Sequence, residues 1–262
     1  MRIILFILLF ISPSAFSQAK YSLVKTIEIE SDFFTTDNQC NVYTVKGNEL
    51  TKFNKDGKLL YKYSNKNYGN ITSVDASNML RILIFYKQFS QVVFLDNTLS
   101  ANGEVINLIY SDLSMPPLVC SSYDNGMWIY DLQSASIIRF DKTVHNVQNT
   151  INLAPLSIEI FEPLSMIEYD NHFYVNNPSS GILVFDIYGT YYKTIPIKNS
   201  SCFQVRGDWA YCLLDKKVKA YNIKTTEVKE FEMPVSDFKS FRLEMDIFML
   251  QSDKSISLFS SK

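Results

Sequence analysis

A two-part pattern recurs six times along this chain, and it restricts the possible folds more than any other feature of the sequence. The first part is an apolar position, two further residues, an aromatic residue or Leu, and then usually Asp or Asn. It reads Leu50-Thr-Lys-Phe53-Asn54, Val92-Val-Phe-Leu95-Asp96, Ile137-Ile-Arg-Phe140-Asp141, Ile182-Leu-Val-Phe185-Asp186, Val218-Lys-Ala-Tyr221-Asn222 and Ile256-Ser-Leu-Phe259-Ser260. The copies are spaced by 42, 45, 45, 36 and 38 residues. The second part is an Asp that closes a short apolar run 10 to 17 residues before each copy: Asp37, Asp75, Asp124, Asp170, Asp208 and Asp246.

Each unit divides into four β segments. The first ends at the recurring Asp, as in Phe33 to Asp37 or Leu164 to Asp170. The second is aromatic and β-branched, as in Val42-Tyr-Thr-Val45 or Met127-Trp-Ile-Tyr130. The third is the quoted motif, which runs into turns such as Asn54-Lys-Asp-Gly57 and Asp186-Ile-Tyr-Gly189, where Gly supplies the positive φ of a hairpin. The fourth alternates polar and apolar, as in Leu60-Tyr-Lys-Tyr63. A strand-built repeat of roughly 40 residues is the signature of a β-propeller. The sixth copy stops at Phe259-Ser-Ser-Lys262 and has no fourth strand, whereas Leu23-Val-Lys-Thr-Ile27-Glu-Ile29 alternates correctly ahead of the first unit. The expectation is an all-β, six-bladed propeller whose last blade is completed by the N-terminal strand. A β-sandwich or barrel has the same strand density but gives no reason for the missing strand.

The N-terminus reads as an export signal. Arg2 is a short positive region, Ile3 to Ile11 is apolar, Ser12-Pro13 breaks the run, and Ala15-Phe16-Ser17 offers small residues for cleavage. The run falls well short of the roughly 20 residues that span a bilayer. The expected organisation is a signal peptide over residues 1–17 and one propeller domain over 18–262. That places the protein in the periplasm or outside the cell, with no transmembrane segment after cleavage. The balance of 25 Lys and Arg against 27 Asp and Glu argues against nucleic acid, whose binding rests on many phosphate contacts. The lysines crowding the first unit, from Lys46 to Lys66, read as solvent faces of strands that also guard edges. The four Cys lack metal-ligand spacing. Cys202 and Cys212 flank the Gly207-Asp208 turn, which leaves open a disulfide across the hairpin or two free thiols.

The run Asp, turn, Asn-apolar-Tyr, then Ile-x-Val-Phe-Asp-x-x-Gly resembles six-bladed propellers of the NHL and TolB-like type, best in Asp37 to Gly57 and Asp170 to Gly189. The resemblance covers most of the chain and implies a fold rather than an activity, since such propellers include lyases, lactonases, sugar-binding modules and scaffolds. Lyase-type members use several His around a metal. This chain has only His145 and His172, at unrelated places in the repeat. Lactonase-like members use carboxylate and amide ligands, for which Glu159, Glu162, Asn176 and Asn177 are the available set. A Ser or Cys nucleophile finds no His partner at a telling spacing. The recurring Asp read as turn caps, one per blade.

These readings converge on an exported, non-enzymatic propeller that acts as a protein-binding or scaffold module in the bacterial envelope. A monomer is expected, with no catalytic residue, no metal and no cofactor. The alternatives are a metal-assisted hydrolase of lactonase type and a glycan-binding propeller. Binding is expected on the loops that join second to third strands and fourth strands to the next blade, because loops vary while blades fix them. Candidate residues are Tyr86, Lys87, Gln88 and Phe89 on one turn, and Asn176 and Asn177 on another, with the insert Ser111 to Pro117 nearby.

Overall fold

In the computed structural model, residues 21–261 are described apart from 104, 112, 114, 115, 143–146, 157 and 159. The leader, with the expected cleavage after Ser17, lies outside the described residues, as do His145 and Glu159. Six four-stranded antiparallel sheets form the blades. Blade 1 runs through Phe33–Thr36, Val42–Lys46, Glu49–Phe53 and Leu59–Ser64, and blade 2 through Ser73–Asp75, Ile82–Tyr86, Gln91–Leu95 and Ile106–Asn107. Blade 3 comprises Leu118–Ser121, Met127–Asp131, Ser136–Phe140 and Val147–Asn152, and blade 4 Ser165–Tyr169, His172–Asn177, Gly181–Asp186 and Tyr191–Ile195. Blade 5 comprises Cys202–Arg206, Trp209–Leu214, Lys217–Asn222 and Val228–Phe231. Blade 6 takes Ser240–Glu244, Ile247–Gln251 and Ser255–Ser261 from the C-terminus and its outer strand, Tyr21–Glu28, from the N-terminus.

The closing strand pairs from Tyr21 with Ser261 to Glu28 with Ser255, with a bulge after Leu23. A propeller needs this closure because each blade buries apolar side chains on both of its faces. Six apolar clusters result, one at each blade–blade contact. The cluster between blades 6 and 1 joins Ile27, Met249 and Leu258 to Phe34, Val42 and Phe53. Second and third strands are buried almost throughout, as in Ile82–Tyr86, while outer strands such as Leu59–Ser64 are largely exposed.

The Asp or Asn that ends the third-strand motif has a local task. The side chain of Asn54 accepts from the N–H groups of Asp56 and Lys58, Asp96 from Thr98 and Ser100, and Asp186 from Tyr188 and Thr190. These are Asx turns that fix the hairpin to the outer strand. Gly57 and Gly189 complete two of them at φ of 76° and 87°, where a side chain would be strained. The other recurring Asp is not uniform, with Asp124 at φ of 54° in the turn Tyr123–Asn125, which corrects the expectation of one cap per blade. Asp37 and Asp75 cap backbone N–H groups. Asp170, Asp208 and Asp246 instead occupy tight turns of two residues, where Asp170 takes φ of 48°.

Up-and-down blades place the first-to-second and third-to-fourth turns at one face of the disc. The second-to-third turns and the inter-blade connections lie at the other. The six inner strands enclose the axis between these faces.

Candidate functional site: the axial channel and its two faces

The inner strands line a channel of 390 Å³. Inner strands begin at one face and end at the other, so the channel has unlike ends. Phe33, Leu118 and Leu164 stand where the strands begin, and this end is apolar. Asp37, Asp75, Glu168, Arg206 and Glu244 stand where they finish, and this end is charged.

Each charged group there has partners, and most of those partners belong to a neighbouring blade. Asp37 is 1 % exposed and accepts from the N–H groups of Gln39 and Asn41, from Asn41 Nδ2 and from Tyr43 Oη. Burial, then the Asp37 charge, raises the Tyr43 hydroxyl above its ordinary range. Asp75 of blade 2 accepts from Ser121 N of blade 3 at 2.8 Å. Glu168 of blade 4 accepts from Trp128 Nε1 at 2.6 Å, Ser122 Oγ at 2.5 Å and Tyr123 N at 2.9 Å, all from blade 3. Glu244 of blade 6 accepts from Thr36 Oγ1 of blade 1 at 2.6 Å and from Gln204 Nε2 of blade 5 at 3.0 Å, and it forms an ion pair with Arg206. Gln204 also brackets the Leu243 backbone, donating to its carbonyl and accepting from its N–H. These carboxylates tie blades together around the axis. A buried charge is tolerable only when its lone pairs are filled in this way.

Arg139, 3 % exposed, is held beside this end. It donates to Ser122 Oγ and to the Tyr123 carbonyl, with its guanidinium 3.6 Å from the Tyr123 ring centre. Arg242 differs from Arg139 and Arg206. It lines the channel two residues before Glu244, and its one hydrogen bond among the described residues runs from Nη1 to the adjacent Phe241 carbonyl at 3.2 Å. No three His, Cys, Asp or Glu side chains converge as a metal-ligand group among the described residues.

The fold places the sequence candidates differently from one another. Lys87, Gln88 and Phe89 form an exposed turn on the apolar-end face, and Phe89 is 45 % exposed. Tyr86 departs from the expected hairpin tip. It is the last residue of its strand, paired with Gln91, fully buried between blades 1 and 2, and edge-on to Tyr68 at 5.4 Å. Strand parity explains this, since Tyr86 alternates with Ile82 and Ile84 on the same buried face.

Asn176 and Asn177 are fully buried. Asn177 accepts from Glu162 N and donates to the Ile160 carbonyl and to Ser179 and Ser180, clamping its own loop, while Asn176 donates to the Ser200 carbonyl. Those bonds take up the amide oxygen of Asn177 that a metal site would need. Cys202 and Cys212 are both free. Cys202 pairs with Leu213, and Cys212 with Phe203, so the two thiols point to opposite faces of blade 5. Cys212 packs toward blade 4 and Cys202 toward blade 6, and burial pushes the Cys212 thiol up to about 12. The two described lysines with pairs in blade 1, Lys46 with Asp32 and Lys62 with Glu49, are exposed ion pairs rather than an anion patch.

Reading the sequence in isolation missed Glu168, Glu244 and Arg242. Arg242 belongs to no recurring motif. Its only signal was a charged residue inside an apolar inner-strand run, Phe241-Arg-Leu243.

No family model matches the chain, and no curated protein matches it in sequence. Solved structures do match in fold. A streptogramin B lyase superposes with a TM-score of 0.64 at 11 % identity, over 94 % of this chain and 100 % of that one. A gluconolactonase from Xanthomonas campestris gives 0.63 at 11 %, over 90 % and 89 %. The WD40 domain of Pan2 from Neurospora crassa gives 0.64 at 8 %, over 92 % and 95 %. Identities this low establish a shared propeller architecture and nothing about chemistry.

Proposed function

We propose that this protein is an exported, non-enzymatic propeller of the bacterial envelope that docks a protein partner on the apolar-end face. The observation that carries the reading is where the large apolar side chains lie exposed. Phe89, Ile109, Leu132, Ile160, Leu164 and Val235 come from second-to-third turns and inter-blade connections of that face, against Leu80, Val105, Tyr188 and Met245 on connections of the opposite face. Exposed apolar side chains grouped on a loop face mark interaction surfaces, and aromatic anchors such as Phe89 dominate their energetics. Export rests on the apolar leader at Ile3 to Ile11. The opposite face supports the non-enzymatic part. Asp37, Asp75, Glu168 and Glu244 are engaged by donors of the blades, and among the described residues no three His, Cys, Asp or Glu converge as a metal-ligand group.

The test uses the mature protein and a Phe89→Asp/Leu132→Asp variant. Both should unfold at the same urea concentration, and only the parent should retain a cross-linked envelope protein identified by mass spectrometry. Equal capture by the variant would refute docking at this face.

A second reading has one support: lyase and gluconolactonase neighbours share the fold. It would make the protein a metal-assisted hydrolase acting in the channel. Lactone turnover that depends on an added divalent ion, and is abolished by Glu168→Gln, would establish it instead.

A further inference from the structure

Arg242 stands out because it is a half-buried charge on the channel wall with no opposite charge paired to it among the described residues. It sits midway along the inner strand Ser240–Glu244, opposite Met249, with its side chain on the channel wall. One of its five N–H donors goes to the Phe241 carbonyl. Among the described residues, no carboxylate lies within 4.0 Å of it, whereas Arg206 is paired with Glu244 and Arg139 donates two hydrogen bonds within blade 3. A guanidinium does not shed its proton in a protein, so the fork stays charged on the channel wall. Burial lowers its pKa, the mark of a cation short of compensation, and the Asp75 charge is the one carboxylate whose field reaches it. The neighbouring Cys202 offers no counter-charge, since burial raises its thiol above the ordinary value.

The space beside the fork sets the rest of the ligand. The walls are apolar on several sides, with Val74, Leu118, Met166, Phe203 and Val205 along the channel. A volume of 390 Å³ exceeds the roughly 150 Å³ that encloses a benzene ring. The charged end beyond Arg242 carries Asp37, Asp75, Glu168 and Glu244 against Arg206 on its wall and Arg139 beside it, so a second negative charge on a ligand would meet repulsion there.

We propose that the channel binds a small monoanion with an apolar body, an aryl- or alkyl-carboxylate. Its carboxylate lies against the Arg242 fork, and its body lies against Leu118, Met166 and Phe203. A planar carboxylate matches the fork with two parallel hydrogen bonds. The proposal is independent of the docking face and stands whether or not a protein partner is found.

The probe is 3-phenylpropionate, titrated calorimetrically into the mature protein, with 3-phenylpropan-1-ol as the neutral analogue. Saturable binding of the acid is expected, with the alcohol weaker by roughly tenfold to a hundredfold, the value of a charge-assisted hydrogen bond. Arg242→Gln should bring the acid down to the affinity of the alcohol. No saturable heat with millimolar acid would overturn the proposal, as would equal affinities of acid and alcohol, or full affinity in Arg242→Gln. Should that variant fail to fold, a crystal of the parent soaked in 3-(4-bromophenyl)propionate decides the matter. Anomalous bromine signal inside the channel supports the assignment, and signal only at the surface overturns it.

Discussion

Replacing Ile27 by Ala tests whether ring closure is a stabilising contact or merely a convenient resting place for the N-terminus. Ile27 is the one buried apolar residue of the closing strand, 4 % exposed and packed in the cluster that joins blades 6 and 1. It pairs directly with Ile256. Truncating a buried Ile to Ala costs about 3 kcal/mol, from the lost transfer energy plus the cavity left behind. A domain of this size loses roughly 2–4 °C of melting temperature per kcal/mol, so a fall of roughly 6–12 °C is expected. Leu23 on the same strand is 59 % exposed, and Leu23→Ala should change stability by no more than about 0.5 kcal/mol. Urea unfolding separates the two effects. The Ile27→Ala midpoint should drop with an unchanged slope, since the surface exposed on unfolding hardly alters. Deleting residues 1–30 goes further and leaves Ser255–Ser261 as an unpaired edge, so self-association that rises with concentration should follow. If Ile27→Ala and Leu23→Ala unfold together at the parent midpoint, the closing strand contributes nothing and the argument fails.

Tyr86→Ala should cost about 3–5 kcal/mol because the side chain is fully buried between blades, whereas Phe89→Ala three residues on should cost less than about 1 kcal/mol, measured by urea unfolding. Glu168→Ala strands the indole N–H of Trp128 and the N–H of Tyr123, so it should destabilise by about 2–4 kcal/mol in the same assay; parent stability would show that this blade tie is idle. Burial holds the Tyr174 hydroxyl at about 12 and raises those of Tyr43 and Tyr86 further, while unfolded tyrosines ionise near pH 10. Because the folded values lie above the unfolded one, this stability is fully present below about pH 10 and is lost as pH rises toward 12. Phenolate absorbance from these residues should therefore appear only together with unfolding, and phenolate signal in the still-folded protein would contradict it.

The blades were legible because their determinants are local. Alternation with a period of two marks each strand, and the Asn or Asp closing the third-strand motif builds its turn from atoms two to four residues away, as Asn54 and Asp186 do. Even the closure could be read, as a strand missing at one end and surplus at the other. What the tertiary structure decided depends on parity and convergence. A shift of one residue moves a side chain to the other face of a sheet. That is why Cys202 and Cys212, nearly symmetric about their turn, point apart, and why Tyr86 faces a neighbouring blade while Phe89 faces water. The axis is still less local. Thr36 and Glu244 meet across 208 positions of sequence, and Trp128 and Glu168 across 40. Arg242 is left without a paired carboxylate because of where three other inner strands place Asp37, Asp75 and Glu168 and its own strand places Glu244. The repeat specified the ring from the chain alone, but the charge at its centre is a sum over all six blades, and it comes into being only when the ring closes.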